Sequence, residues 1–163
     1  MLGTLRVCKG LSLVELIVTI TILGILAAGV VPLTRMTAQR AKETELRRNL
    51  RSIRAAIDDY KKKFDKMPAG PLKSGSGYPK DLQVLLDGYD FGDPKAGKVK
   101  ILRRKIYDPF HPPENDRDET WGWNLRSSAD KPDSTIWGKE DVFDVYSMSE
   151  GTAIDGKTKY REW

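Results

Sequence analysis

Residues 11–33, LSLVELIVTITILGILAAGVVPL, form an almost unbroken apolar run that constrains this chain more than any other feature. A helix needs about 20 apolar residues to cross a bilayer, so the run is long enough to span one. Its single charge is Glu15, close behind the start. A carboxylate near the centre of a span costs about 2.5–3.5 kcal/mol or more, so it ordinarily has a partner and a task. The run itself contains no basic residue to neutralise it. Mean hydropathy over the whole chain is nevertheless -0.49. With charged residues at 31% of the 163, the chain beyond the run must be strongly polar.

Ahead of the run stands MLGTLRVCKG, whose only charges are Arg6 and Lys9. Basic residues before an apolar span favour a cytoplasmic N-terminus. A secretory signal peptide fits poorly, because the apolar run is too long and a basic segment follows it instead of a processing site. A plain single-span anchor is the stronger simple reading, but it gives Glu15 no purpose. Cleavage between Gly10 and Leu11 would supply one. The new α-amine has a reference pKa of about 8 and is protonated at neutral pH. Glu15 of one subunit then pairs with the Leu11 amine of a neighbour, which makes burial of both charges conditional on assembly in register.

The segment Lys9-Gly10-Leu11-Ser12-Leu13-Val14-Glu15-Leu16 resembles the prepilin processing site of type IV pilins and type II secretion pseudopilins. The resemblance implies cleavage after Gly10 by a membrane aspartyl peptidase and N-methylation of Leu11 by the same enzyme. It departs from the family at Leu11, where phenylalanine is usual. Pro32 also matches the family's late proline in the membrane helix. Cys8, the only cysteine, lies in the leader, so no intramolecular disulfide forms.

Gly24, Gly29 and Pro32 mark a weak section of this helix. Proline removes the hydrogen bond to Ala28 and kinks a helix, and each glycine weakens it by about 1 kcal/mol relative to alanine. Neighbouring helices re-satisfy freed carbonyls in a bilayer, and small residues allow close packing. In filaments of the resembling family this section also loses helical hydrogen bonds.

Beyond Pro32 the helical pattern continues to about Phe64. Leu46, Leu50, Ile53, Ile57, Tyr60 and Phe64 step by four and three, which draws one apolar stripe. Between Arg35 and Lys66 eleven Lys or Arg face five Asp or Glu, so the basic excess behind the chain's net charge of +5 is concentrated here. Nucleic-acid binding is not expected, since no helix-turn-helix, zinc finger or RNA-binding signature accompanies these cations. A solvated face or contact with anionic membrane lipid is the simpler account.

The domains read as a leader at 1–10, a transmembrane and polymerisation helix at 11–33, an amphipathic helix at 34–66 and a loop and β-sheet head at 67–163. The expected fold is α+β, with the C-terminal half of a long membrane-spanning helix packed on a small antiparallel sheet, as in the pilin fold. A breaker-rich loop fills 67–77, and Tyr78 to Leu86 reads as a short helix capped near Lys80 or Asp81. This stretch also resembles the secretion pseudopilins, as does Asp108-Pro109-Phe110, which opens a polar loop. Lys98–Tyr107 reads as a strand or a short helix. Thr120–Leu125 and Val142–Ser147 read as strands, with Thr158–Trp163 as a short terminal one.

Asp144, Ser147, Glu150 and Asp155 are candidate calcium ligands, because calcium favours clustered oxygens. Calcium binding in the C-terminal loop of the major secretion pseudopilins is what suggests the site. However, SMSEGTAIDG lacks the aspartate-rich pattern of that loop, and Asp155-Gly156 equally suits a tight turn. No other cofactor is expected.

Catalysis is not expected, because no nucleophile–base pair, phosphate loop or metal motif occurs and His111 is the single histidine. The resemblance is strongest to the major type II secretion pseudopilin. It implies a structural subunit of a periplasmic filament, anchored by one pass in the inner membrane with its C-terminal domain in the periplasm. Implied partners are other copies of itself, minor pseudopilins, the prepilin peptidase, the inner-membrane assembly platform and membrane lipid. The rival readings are a surface pilin for adhesion, motility or DNA uptake, and a membrane-anchored binding module that never polymerises.

Overall fold

One helix organises the chain. In the computed structural model, which describes residues 10, 12–68, 70, 73, 75–115 and 117–163 and the side chains of all these except 29–33, α1 (Leu13–Asp65) runs for 53 residues. Its last turn carries Lys62 and Lys63, cations that suit the negative end of the helix dipole. It stops where Met67 N–H closes a tighter turn on the Phe64 carbonyl and Pro68 follows. The residue before a proline is disfavoured in helix. The chain divides after Gln39 into two units.

In the second unit, 40–163, the apolar stripe is the core. Leu46, Leu50, Ile53, Ile57, Tyr60 and Phe64 are all buried. Trp121, Trp123, Leu125, Val142, Val145 and Tyr160 close over them. Past α1 come α2 (Val84–Asp87), β1 (Tyr89–Asp90), β2 (Lys98–Val99), β3 (Trp123–Arg126) and β4 (Asp144–Ser147). β1 pairs antiparallel with β2, and β3 with β4 in the register Trp123 to Ser147 and Leu125 to Val145. Alternation sets the faces of β3, whose Trp123 and Leu125 point inward. The fold is α+β, a long N-terminal helix with small antiparallel sheets, in keeping with a pilin fold.

Several expected elements differ. The strand expected at Thr120–Leu125 starts at Trp123, because Thr120–Trp123 is a turn closed by Trp123 N–H on the Thr120 carbonyl. Trp121 and Gly122 both have positive φ there, 56° and 81°. Of the expected Thr158–Trp163 strand only the Thr152–Lys159 bridge forms, and Tyr160–Glu162 winds into a 3-10 turn. Tyr160 is drawn inward, stacking on Phe110 at 4.0 Å. Lys98–Tyr107 is a strand only at Lys98–Val99, after which its backbone groups go to other partners. Leu102 N–H donates to the Leu85 carbonyl, while the Ile106 and Tyr107 carbonyls accept from Trp123 Nε1 and Asn49. The short helix is confined to Val84–Asp87, with the Asp81 carboxylate accepting from Val84 N–H.

Buried polar groups hold the loops. Asp108 is fully buried, where it accepts from Phe110 N–H and Ser147 Oγ. Asp141, also buried, takes both hydroxyls of Ser127 and Ser128 and the Ser128 N–H. Burial pushes the Asp141 carboxyl up, but hydrogen bonds from Ser128, Ser76 and Ser127 outweigh it and leave the group below its ordinary range. A carboxyl depressed in the folded state contributes stability above its unfolded value, near 3.9, and loses that contribution as pH falls through the folded value. The stability of the head is therefore expected to drop below about pH 4. Asp141→Asn should flatten that part of the curve, as chemical denaturation at pH 3 and pH 6 would show.

Candidate functional site

In the first unit, residues 1–39, the described side chains from Leu13 to Ala28 are all exposed. Ser12 lies just before the helix, and its carbonyl accepts the first helical bond, from Leu16 N–H. Glu15 sits in the first turn of α1, where the helix dipole favours a carboxylate. Leu13, Val14, Leu16, Ile17, Val18 and Ile20 are each at least half exposed around it. Among the described residues Glu15 has no hydrogen-bond or ion-pair partner. Thr19 and Thr21 hide their hydroxyls by donating to the Leu16 and Ile17 carbonyls. Between Leu13 and Ala28 these are the only polar side chains besides Glu15, and apolar surroundings reward such internal bonds.

Gly10 is exposed and outside the helix. Leu11, the expected methylation site and amine donor, lies outside the described residues. Gly24 sits within continuous helix, while the side chains at Gly29 and Pro32 fall outside the description. Among the described residues no helix is long and apolar enough to cross a membrane. The apolar part with described side chains, 13–28, is shorter than the about 20 residues a span needs.

The four candidate calcium ligands are not brought together. Asp144 is held by Arg54 at 2.7 Å and faces Arg126 at 3.9 Å. Ser147 Oγ is turned to Asp108. Glu150 pairs with Arg161 and Lys159, and the Arg161 hydrogen bond foremost depresses its carboxyl. Asp155 closes its own turn on the hydroxyl of Thr158 and the N–H groups of Lys157 and Thr158. Among the described residues no three His, Cys, Asp or Glu side chains are grouped to hold a metal. These residues as arranged do not fit a calcium ion.

The N-terminal sequence is shared with known proteins. The family described as a prokaryotic N-terminal methylation motif matches residues 5–31, the stretch holding Gly10, Leu11 and Glu15. The chain is also 35% identical over 87 residues to the type II secretion system core protein G of Pseudomonas aeruginosa. The chain is thus similar to a secretion pseudopilin and carries the N-terminal methylation motif. That match covers 50% of this chain and 61% of the relative's length. No solved structure matches the chain.

One residue that ties α1 to the rest of the head escapes the pattern of the sequence. Glu43, half-buried on α1, accepts from Ile154 N–H at 2.7 Å and from Tyr160 hydroxyl at 2.9 Å. In the sequence it looks like one more charge on a basic helix, and the only clue is its place one turn ahead of Leu46. Glu43→Ala removes the carboxylate that accepts both of these part-buried bonds, which costs about 1–3 kcal/mol. Urea unfolding of the full chain is expected to show that loss, with Glu45→Ala unaffected.

Proposed function

We propose that the chain is a structural subunit, a pseudopilin, of a type II secretion-like periplasmic filament. In this reading it is cut after Gly10, methylated at Leu11 and assembled through residues 11–33. The observation that carries it is Glu15, a carboxylate with no partner among the described residues, in the first turn of an apolar helix and five residues behind the glycine of a methylation motif. A lone charge on such a helix is stable in lipid or among like helices only when a counter-charge meets it. The amine released at Leu11 of a neighbouring subunit is that counter-charge.

The apolar side chains from Leu13 to Leu26 then take lipid as partner before assembly and other subunits after it. Before assembly the chain sits in the inner membrane by one pass, with residues 40–163 in the periplasm. Its work is mechanical and its partners are further copies, minor pseudopilins, the prepilin peptidase and the assembly platform. The likeness to the secretion protein favours this filament over a surface pilus.

Intact mass of the protein from cells with and without a prepilin peptidase is the test. Loss of residues 1–10 plus one methyl group, only with the peptidase present, is the expected result. Glu15→Ala should be processed normally yet yield at least about tenfold less filament, the lost charge pair being worth more than one decade. An uncut chain in both strains points instead to a membrane-anchored binding module.

A further inference from the structure

A groove opens in the head between α1 and the irregular segment 102–109, with a volume of about 840 Å³. Its size is that of a small-molecule site. Lys42 and Arg48 line it from the helix, and Arg103, Arg104 and Lys105 from the opposite wall. The acidic members are Glu45 and Asp108, and the Asp108 carboxylate is already taken by Phe110 N–H and Ser147 Oγ. Among the described residues the side chains of Arg48, Arg103 and Arg104 have no hydrogen-bond or ion-pair partner. These three arginines line one opening, and each carries a planar fork of donors that suits an oxyanion.

The groove is not wholly polar. Leu102, Ile106 and Pro109 supply apolar wall, so a bare inorganic ion would leave much of it unfilled. A ligand with a phosphate at one end and a hydrocarbon body suits both halves. Such a molecule is the solvent of the helix that leads here: the apolar run ends at residue 33, and Lys42 follows within nine positions. Cations beside a membrane segment are drawn to anionic headgroups, an attraction worth roughly a fewfold in affinity for each Lys or Arg at the surface.

We propose that this groove binds the phosphate headgroup of an anionic phospholipid. The inference rests on reading residues 11–33 as the membrane helix, and it adds a lipid site in the head to the anchor itself.

The experiment uses the full processed chain in zwitterionic detergent micelles, with phosphatidylglycerol or phosphatidylcholine added and retained lipid counted by native mass spectrometry. Phosphatidylglycerol should be retained at least about tenfold better. The Arg48→Gln, Arg103→Gln, Arg104→Gln variant should lose that preference. A variant with Lys95, Arg117 and Lys131 changed to Gln carries the same charge change outside the groove and should keep it. A lysine version of the three arginine positions, which preserves charge, should retain most of the binding and so excludes misfolding as the cause of loss. Equal loss in both glutamine variants overturns the site, as does displacement of the lipid by an equimolar acidic peptide or by inorganic phosphate. A chain that is cut and enters micelles but shows no preference sinks the lipid site alone. One that neither is cut nor enters micelles sinks the membrane reading with it.

Discussion

Truncating Trp123 to alanine is expected to lower the stability of the head by about 3–5 kcal/mol, the usual cost of removing a large buried aromatic. Trp123 is fully buried on the inward face of β3, among the residues that close over the α1 stripe. Its Nε1 also donates to the Ile106 carbonyl at 2.7 Å, the bond that holds the wall formed by the irregular segment in place. Alanine therefore leaves a cavity and an orphaned carbonyl at once. Each kcal/mol is worth about 2–8 °C in a domain of this size. A melting temperature at least about 10 °C lower in a thermal scan of the full chain is the expected reading. Trp123→Phe, which refills most of the volume but not the hydrogen bond, should recover more than half of it.

Gly122→Ala should be nearly as damaging despite adding only a methyl group. At φ of 81° an L side chain is strained by about 1–2 kcal/mol. A Cβ at this position would also be driven into the His111 carbonyl oxygen, a backbone atom that cannot rotate away. The turn would have to open, and Asp118 would lose the Gly122 N–H that helps hold its carboxyl below the ordinary range against the opposing effect of burial. A loss of about 3 kcal/mol or more in denaturant unfolding is expected, strain and clash together. Gly156→Ala, with φ of 70° but open space around it, should cost only the strain.

The parts of this protein legible from sequence are those with a long period or a costly residue. The stripe from Leu46 to Phe64 repeats often enough to fix a helix and its buried face, and all six members are buried. Glu15 is legible because a charge in an apolar run demands a reason. Two-residue strands such as Tyr89–Asp90 have no period to read, so β1 leaves no signal. Asp108 reads as the start of a polar loop, yet it is buried because Ser147, 39 residues later, donates to it. The calcium candidates illustrate the converse. Their carboxylates are visible, but Arg54, Arg161 and Thr158, which occupy them, come from elsewhere in the fold or from a turn whose closure spacing alone does not reveal.

The bonds that tie α1 to the rest of the head share a further property. Glu43 reaches Ile154 and Tyr160 across 111 and 117 residues, and Arg54 reaches Asp144 and Val145 across 90 and 91. Closing loops of that length costs entropy before any contact repays it, which makes such topologies slow to form. Ribosomes deliver about 5–20 residues each second, so α1 is made several seconds before β4 and the Tyr160 turn. Throughout that interval the stripe on α1 has no cover. A newly made chain thus acquires a finished head only after residues 144–160 have been delivered.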